Sequence, residues 1–232
     1  MKTNIVLLTR DREELYQQTV ESLYRETPEA EFDLMIIDDG SQKPVKAPHQ
    51  ARNSMVFRFE ESEHNLGDLK SFGVRLSTEV FGRAEVLTLI DNDCFFLPGW
   101  LSRMSELISK SEPEGYRLWG GQNHPFHMKR GFSWPGPFNG LIESWTLAGT
   151  HMMLRWQTWD KFGPLKSEGP GPCRGEDCQL SRDLRATGAK IGIADPFVAL
   201  DCGITQTSGT PSPGMDEKVK FLDEHPADAI YN

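Results

Sequence analysis

The sequence has no apolar run near the roughly 20 residues that a membrane-spanning helix requires. Its first apolar stretch, residues 4–8, is too short for a secretory signal. The expectation is therefore a soluble, cytoplasmic protein. Cysteine is scarce. Cys94, Cys173, Cys178 and Cys202 are scattered and form no Cys-x-x-Cys pair, and an intracellular setting argues for free thiols. Cys173 and Cys178 with His124 and His127 lack the spacing of a structural zinc site and read as ordinary loop and core residues. Basic residues are outnumbered, 25 Lys plus Arg against 34 Asp plus Glu, which leaves a formal charge of −9. That balance disfavours a dedicated binder of bare phosphate backbones, although a local basic groove stays open. No repeat, low-complexity tract, dividing linker or Ser/His/Asp arrangement is apparent. What remains is 232 residues, 38% hydrophobic, enough for one domain with a real core.

The first half alternates apolar runs with helical stripes. Residues 4–8, 32–37, 55–59 and 86–90 read as strands; residues 12–24, 67–76 and a stretch opening at Pro98-Gly99 read as helices. Such alternation implies an α/β architecture, a mixed, mostly parallel sheet with helices on both faces. In these sheets ligands bind beyond the carboxyl ends of the strands. Two of the strands run directly into acid, at Asp38-Asp39 and at Asp91-Asn92-Asp93. The second half is less regular. Residues 120–149 are rich in Gly, Pro and aromatics without a clear period. A strand and helix follow up to residue 162, then a Gly/Pro loop at 164–175, a helix at 176–186 and a strand at 191–194. Residues 206–213 read as loop and 216–222 as a closing helix. One domain spans residues 1–232, with 1–110 as a nucleotide-binding half and 111–232 as an acceptor-side half.

Asp91 and Asp93, one residue apart after a strand, can hold a hard divalent cation through oxygen. Asp38 and Asp39 can accept hydrogen bonds from ribose hydroxyls or a base N–H. Both clusters are also what turns and helix caps require. Glu176-Asp177 opens a helix, where acids cap well and where a general base would also sit.

The ordered set Thr9-Arg10, Asp38-Asp39-Gly40-Ser41, Asn65-Leu66-Gly67, Asp91-Asn92-Asp93 and Glu176-Asp177 resembles family 2 glycosyltransferases of the GT-A fold. So does the run from Gly149 through Trp159 and Gly163 to Gly188 and Lys190. The resemblance covers roughly residues 3–195. It implies inverting transfer of one sugar from a nucleotide-sugar, a UDP-sugar by expectation, assisted by Mn2+ or Mg2+. It implies that Thr9, Arg10, Asp38, Asp39, Asn65, Gly67, Lys70, Asp91 and Asn92 border the nucleotide-sugar. It implies that Asp93 and Asp91 ligate the metal and that Asp177 is the catalytic base with Glu176 beside it. Two departures matter. Asp201 stands where related enzymes often place a histidine metal ligand, and the Gln-x-x-Arg-Trp motif of processive synthases is absent.

Trp134, Trp145 and His151 lie between the metal and base motifs and are candidates for the acceptor side, since aromatic faces suit sugar rings. The same rings equally suit a core. Lys129-Arg130 is a small basic spot, and residues 164–175 and 207–214 are candidate lids. The acceptor stays open among a glycan, a lipid-linked sugar, a protein and a modified nucleobase. Two other functions stay open: a metal-dependent nucleotidyltransferase, disfavoured by the lack of glycine in Thr9-Arg10-Asp11-Arg12, and a retired sugar- or nucleotide-binding module.

Overall fold

The computed structural model describes residues 1–48, 53–61, 64–121, 133–147, 149–166 and 175–201. Strands β1 (Thr3–Thr9) and β2 (Phe32–Asp39) are buried along their whole length, which is why they read as continuous apolar runs. Strand β3 (Ser54–Phe59) is only partly buried. With β4 (Val86–Asp91) these strands pair in parallel, in the order β3-β2-β1-β4. Five further strands complete a nine-stranded sheet: β6 (Tyr116–Gly120), β7 (Ser133–Pro135), β8 (Leu141–Ser144), β9 (His151–Leu154) and β10 (Lys190–Ala194). The full order is β3-β2-β1-β4-β9-β6-β10-β8-β7. Strand β9 runs antiparallel to both β4 and β6, and β6 is parallel to β10. The sheet is thus mixed, with its parallel block in the first half. A separate ribbon pairs β5 (Cys94–Phe96) with β11 (Ala199–Asp201).

Helices cover both faces, as the alternation implied. The helices are α1 (Glu13–Glu26), α2 (Leu66–Phe81), α3 (Trp100–Ser111), α4 (Trp156–Phe162) and α5 (Glu176–Arg185). The pleat sends alternate residues of β1 to opposite sides. Ile5 and Leu7 pack with Tyr16, Leu23, Trp100 and Met104 from α1 and α3. Val6 and Leu8 pack with Leu69, Val74, Trp156 and Leu184 from α2, α4 and α5. Each fully buried side chain of this kind contributes about 1.5–3 kcal/mol. Helix α2 starts at an Asn65 cap, whose Oδ1 accepts from the N–H groups of Gly67 (2.8 Å) and Asp68 (3.4 Å). It lies close on the sheet because Gly73 has no side chain.

The strands β5, β6, β7, β8 and β11 have no counterpart in the sequence reading. They are three to five residues long and carry too few positions for a period; neighbours across the sheet define them. Most of the 164–175 loop, the 207–214 loop, the 216–222 helix, His124, His127, Lys129, Arg130, Cys173 and Cys202 lie outside the described residues. Cys94 and Cys178 are buried free thiols. No described helix is long and apolar enough to cross a membrane.

A Cβ on Gly73 would stand 2.5 Å from Val6 Cγ1 and 2.9 Å from Ile37 Cγ1. Gly73→Ala should therefore lose about 1–3 kcal/mol, in spite of alanine's better helix propensity. Urea denaturation of the two proteins measures the difference.

Candidate active site

The strand register sets Thr9 level with Asp38, and Leu8 level with Asp91. The carboxyl ends of β1, β2 and β4 therefore open on one crevice. The loop after β1 passes through two consecutive left-handed residues, Asp11 (φ 53°) and Arg12 (φ 54°). Neither is glycine, so the turn is strained. Several hydrogen bonds hold it. Asp11 N–H donates to Ser41 Oγ (2.8 Å), and Gln42 N–H to Asp11 Oδ1 (2.9 Å). Asn92 Nδ2 donates to Thr9 Oγ1 (3.0 Å) and to the Asp11 carbonyl (3.4 Å). The side chains of Thr9 and Asn92, both buried, are thereby engaged in bracing the loops.

Asp38 and Asp39 separate into two roles. Asp38 is fully buried. Its Oδ1 accepts from Ser41 N–H (2.9 Å), its Oδ2 accepts from Val45 N–H (3.3 Å), and Arg58 Nε lies 3.4 Å away. Both oxygens, expected to meet the nucleotide, are engaged inside the turn, where the carboxylate builds the loop. Asp39 Oδ1 lies 2.6 Å from His64 Nδ1, and Asp39 Oδ2 lies 4.0 Å from the guanidinium of Arg10, which is half-exposed. The His64 ring packs on Phe59, with centroids 4.3 Å apart.

Lys70, in the second turn of α2, is fully buried. Its ammonium donates to Glu176 Oε1 (2.5 Å) and to the Gly149 carbonyl (3.0 Å). Asp91 Oδ1 lies 3.2 Å away but out of hydrogen-bonding geometry, so that contact is ionic. Burial alone would push the Lys70 ammonium down; Asp91 and Glu176 outweigh it and hold the group above the usual lysine range. Burial pushes the Asp91 carboxyl up to about 7; Lys70 pulls against it, and Glu176 and Asp93 add to it. A third of the Asp91 side chain still meets solvent, which leaves it accessible from the crevice.

Asp177 is placed by amide donors. Gly149 N–H gives to its Oδ2 (2.9 Å) and Cys178 N–H to its Oδ1 (2.7 Å). Both glycines beside it allow close approach: a Cβ on Gly175 would collide with Asp177 Oδ1, and one on Gly149 would lie 3.1 Å from both Glu176 Oε1 and Lys70 Nζ.

The residues present suit a divalent cation. Asp91 and Asp93 offer hard oxygen ligands, and the buried Oδ1 of Asp91 accepts no hydrogen bond. Asp93 Oδ2 accepts from Arg12 Nη1 (2.9 Å). Asp201 is placed by its backbone: β11 sets it opposite Cys94, the residue after Asp93. Among the described residues no three His, Cys, Asp or Glu groups come together as ligands. A cation held by two carboxylates would be completed by substrate phosphates, the usual way of magnesium-type sites.

Trp134 and Trp145 meet, edge to face at 5.9 Å. The Arg185 guanidinium lies 3.6 Å over Trp145. Arg185 ends α5 whereas Asp177 begins it, so the pair stands about 12 Å along the helix from Asp177. His151, the third residue expected on the acceptor side, sits apart from this pair. It is fully buried, packed edge-on against Phe96 and Trp100, and its Nδ1 accepts from Gly121 N–H (2.7 Å). Strand β9 lies inside the sheet, which turns this ring into the core. Arg12 and His64 lie beside Asp93 and Asp39 and were not singled out from the sequence; Gly149 was named there as the start of the matching run.

Residues 4–158 match the family described as Glycosyl transferase family 2. No curated protein matches the chain. Similar solved structures include TarS residues 1–349 of S. aureus in complex with UDP-GlcNAc, at 17% identity and a TM-score of 0.62, covering 96% of this chain and 65% of that one. GalNAc-T7 with UDP, GalNAc and Mn2+ has 18% identity and a TM-score of 0.62, covering 96% and 48%. The mannosyltransferase PcManGT of Pyrobaculum calidifontis with GDP-Man and Mn2+ has 9% identity and a TM-score of 0.60, covering 83% and 56%. At these identities the likeness shows the fold, which is GT-A. The chain spans less than two thirds of the length of these solved chains.

Two outcomes follow from the burial of Asp38 and His151. Asp38→Ala leaves two backbone donors without an acceptor and should cost about 1–3 kcal/mol in urea denaturation. Burial holds His151 neutral, lowering its pKa from 6.5 to about 4. Its contribution to stability is therefore complete above pH 6.5 and is lost as pH falls through 4. Between pH 7 and 4, wild type should lose on the order of 2 kcal/mol more than His151→Gln, whose amide oxygen can still accept from Gly121. Equal losses in the two proteins would contradict this.

Proposed function

Because the chain belongs to glycosyl transferase family 2, we propose that it moves one sugar from a nucleotide-sugar to an acceptor hydroxyl by a single inverting displacement. The observation that carries this reading is the Lys70 junction. It brings Asp91 of the metal motif and Glu176-Asp177 of the base motif to one crevice at the strand ends. The donor is a UDP-sugar, a choice supported by TarS and GalNAc-T7, whose structures hold UDP-GlcNAc and UDP. Residues 1–110 carry the donor side, and 111–232 carry the base.

Asp39 accepts from the nucleoside, with Arg10 and His64 beside its carboxylate. Asn65 and Gly67 shape the first turn of α2 against it. Asp93 and Asp91 hold a manganese or magnesium ion, and Asp201 is the third candidate ligand. When bound, that ion supplies Lewis-acid stabilisation of the diphosphate leaving group. Arg12, on Asp93, adds a fixed positive charge on the same side. Asp177 takes the acceptor proton as the acceptor oxygen bonds to the anomeric carbon. The bond from that carbon to the phosphate oxygen breaks through an oxocarbenium-like transition state, and the nucleoside diphosphate departs. Two amide N–H groups hold the Asp177 carboxylate in place for this step. Trp134 and Trp145 suit a distal ring of an extended glycan acceptor. The loop after β1 carries Arg10-Asp11-Arg12 and no glycine, which disfavours nucleotidyl transfer.

A thermal-shift screen of nucleotide-sugars should show stabilisation that depends on manganese. Asp177→Asn should retain that stabilisation and lose roughly 100- to 10,000-fold in transfer. Asp93→Ala should lose the manganese dependence together with at least about 100-fold of turnover. Release of pyrophosphate in place of nucleoside diphosphate would sink the reading, as would full activity of Asp177→Asn.

A further inference from the structure

A fully buried lysine is rare unless its charge is matched. Lys70 stands at the meeting point of four chain segments: its own helix α2, the end of β4, the turn before β9 and the start of α5. Its two hydrogen-bond partners, Gly149 and Glu176, are 79 and 106 residues away in sequence. Gly149 is bonded through both of its backbone groups, which belong to successive peptide units. Its carbonyl accepts from Lys70, and its N–H donates to the Asp177 carboxylate. The same ammonium faces Asp91 at 3.2 Å. A chain of contacts thus runs from Asp91 through Lys70 and the backbone of Gly149 to Asp177.

We propose that Lys70 is a positioning residue that fixes Asp177 relative to Asp91. Its ammonium also serves as the internal counter-charge between Asp91 and Glu176, which opposes entry of a bare divalent cation ahead of the donor. The assignment rests on the glycosyl-transfer reading. It goes beyond that reading because Lys70 touches neither donor nor acceptor in it. Removing the ammonium leaves Asp91 and Glu176 facing each other, a pair that attracts a cation. It also frees the Gly149 peptide, so the base loses its registration against the reacting carbon.

The test compares wild type with Lys70→Met, which keeps the stem and removes the charge. Manganese(II) alone is titrated by electron paramagnetic resonance. UDP at saturating manganese is titrated by calorimetry, and UDP release is followed with the nucleotide-sugar that stabilises wild type. The expected result is manganese binding about tenfold tighter, UDP affinity within about fivefold, and kcat lower by about 100-fold, the scale of a misplaced catalytic group. Unchanged or weaker manganese binding overturns the proposal. So does a kcat near wild type, or a loss of UDP affinity as large as the loss of kcat. Should Lys70→Met fail to fold, Gly149→Ala replaces it. Its methyl parts Lys70 from Glu176 while every charge is kept, and it should lower kcat at least about tenfold with UDP affinity retained; a wild-type kcat overturns the proposal. A wild type that releases no UDP from any donor sinks the transfer reading instead, and the manganese titration, which needs no turnover, still decides the counter-charge.

Discussion

Carboxylates gathered at one end of a sheet repel one another, and burial makes the repulsion stronger. The crevice exists because each of its acids has its own compensation. Lys70 lies between Asp91 and Glu176, Arg12 binds Asp93, Arg58 lies beside Asp38, and Arg10 faces Asp39. Asp177 is held by two backbone N–H groups. Of these cations only Lys70 is wholly out of water. A surface pair is worth little and is easily broken, whereas breaking a buried one leaves a stranded charge. The arginine pairs are therefore the weaker ones, while the lysine keeps its place.

Much of this arrangement was legible in the sequence, for definite reasons. Strands β1, β2 and β4 are buried along nearly their whole length, so they read as apolar runs, two of which stop at acid, and a parallel sheet brings their carboxyl ends together. The helical pattern at residues 67–76 marked most of α2. Other facts depend on pairing and could not be read. Asp38 and Asp39 are alike in composition, yet one is engaged in its own turn and the other faces Arg10 and His64. The pleat decides between neighbours, and a sequence does not state which side is the crevice. His151 became a core ring because β9 was threaded between β4 and β6. Trp134 and Trp145 do come together, but at the far end of α5 from the base. Lys70 was expected to border the nucleotide-sugar; its hydrogen-bond partners, more than 75 residues distant, could not be read.

Strain accompanies the charge arrangement. Two left-handed residues in succession at Asp11 and Arg12 are unfavourable; Asp11 is held by its N–H on Ser41 and by donors from Gln42 and Asn92, and the Arg12 carbonyl accepts from Tyr16 N–H. The outcome is that the Arg12 guanidinium meets Asp93. A relaxed turn would aim that side chain elsewhere.

The 106 residues between Lys70 and Glu176 also have a meaning in time. During synthesis the strands β1 to β4 and α2 emerge first and can pair with one another, since their contacts are local to the first half. At that stage the ammonium has Asp91 but neither Glu176 nor the Gly149 carbonyl. The lysine cannot be fully buried until α5 has left the ribosome and docked. A half-made chain therefore holds an unfinished, hydrated site, and the crevice acquires its charge balance in the same event that completes the sheet.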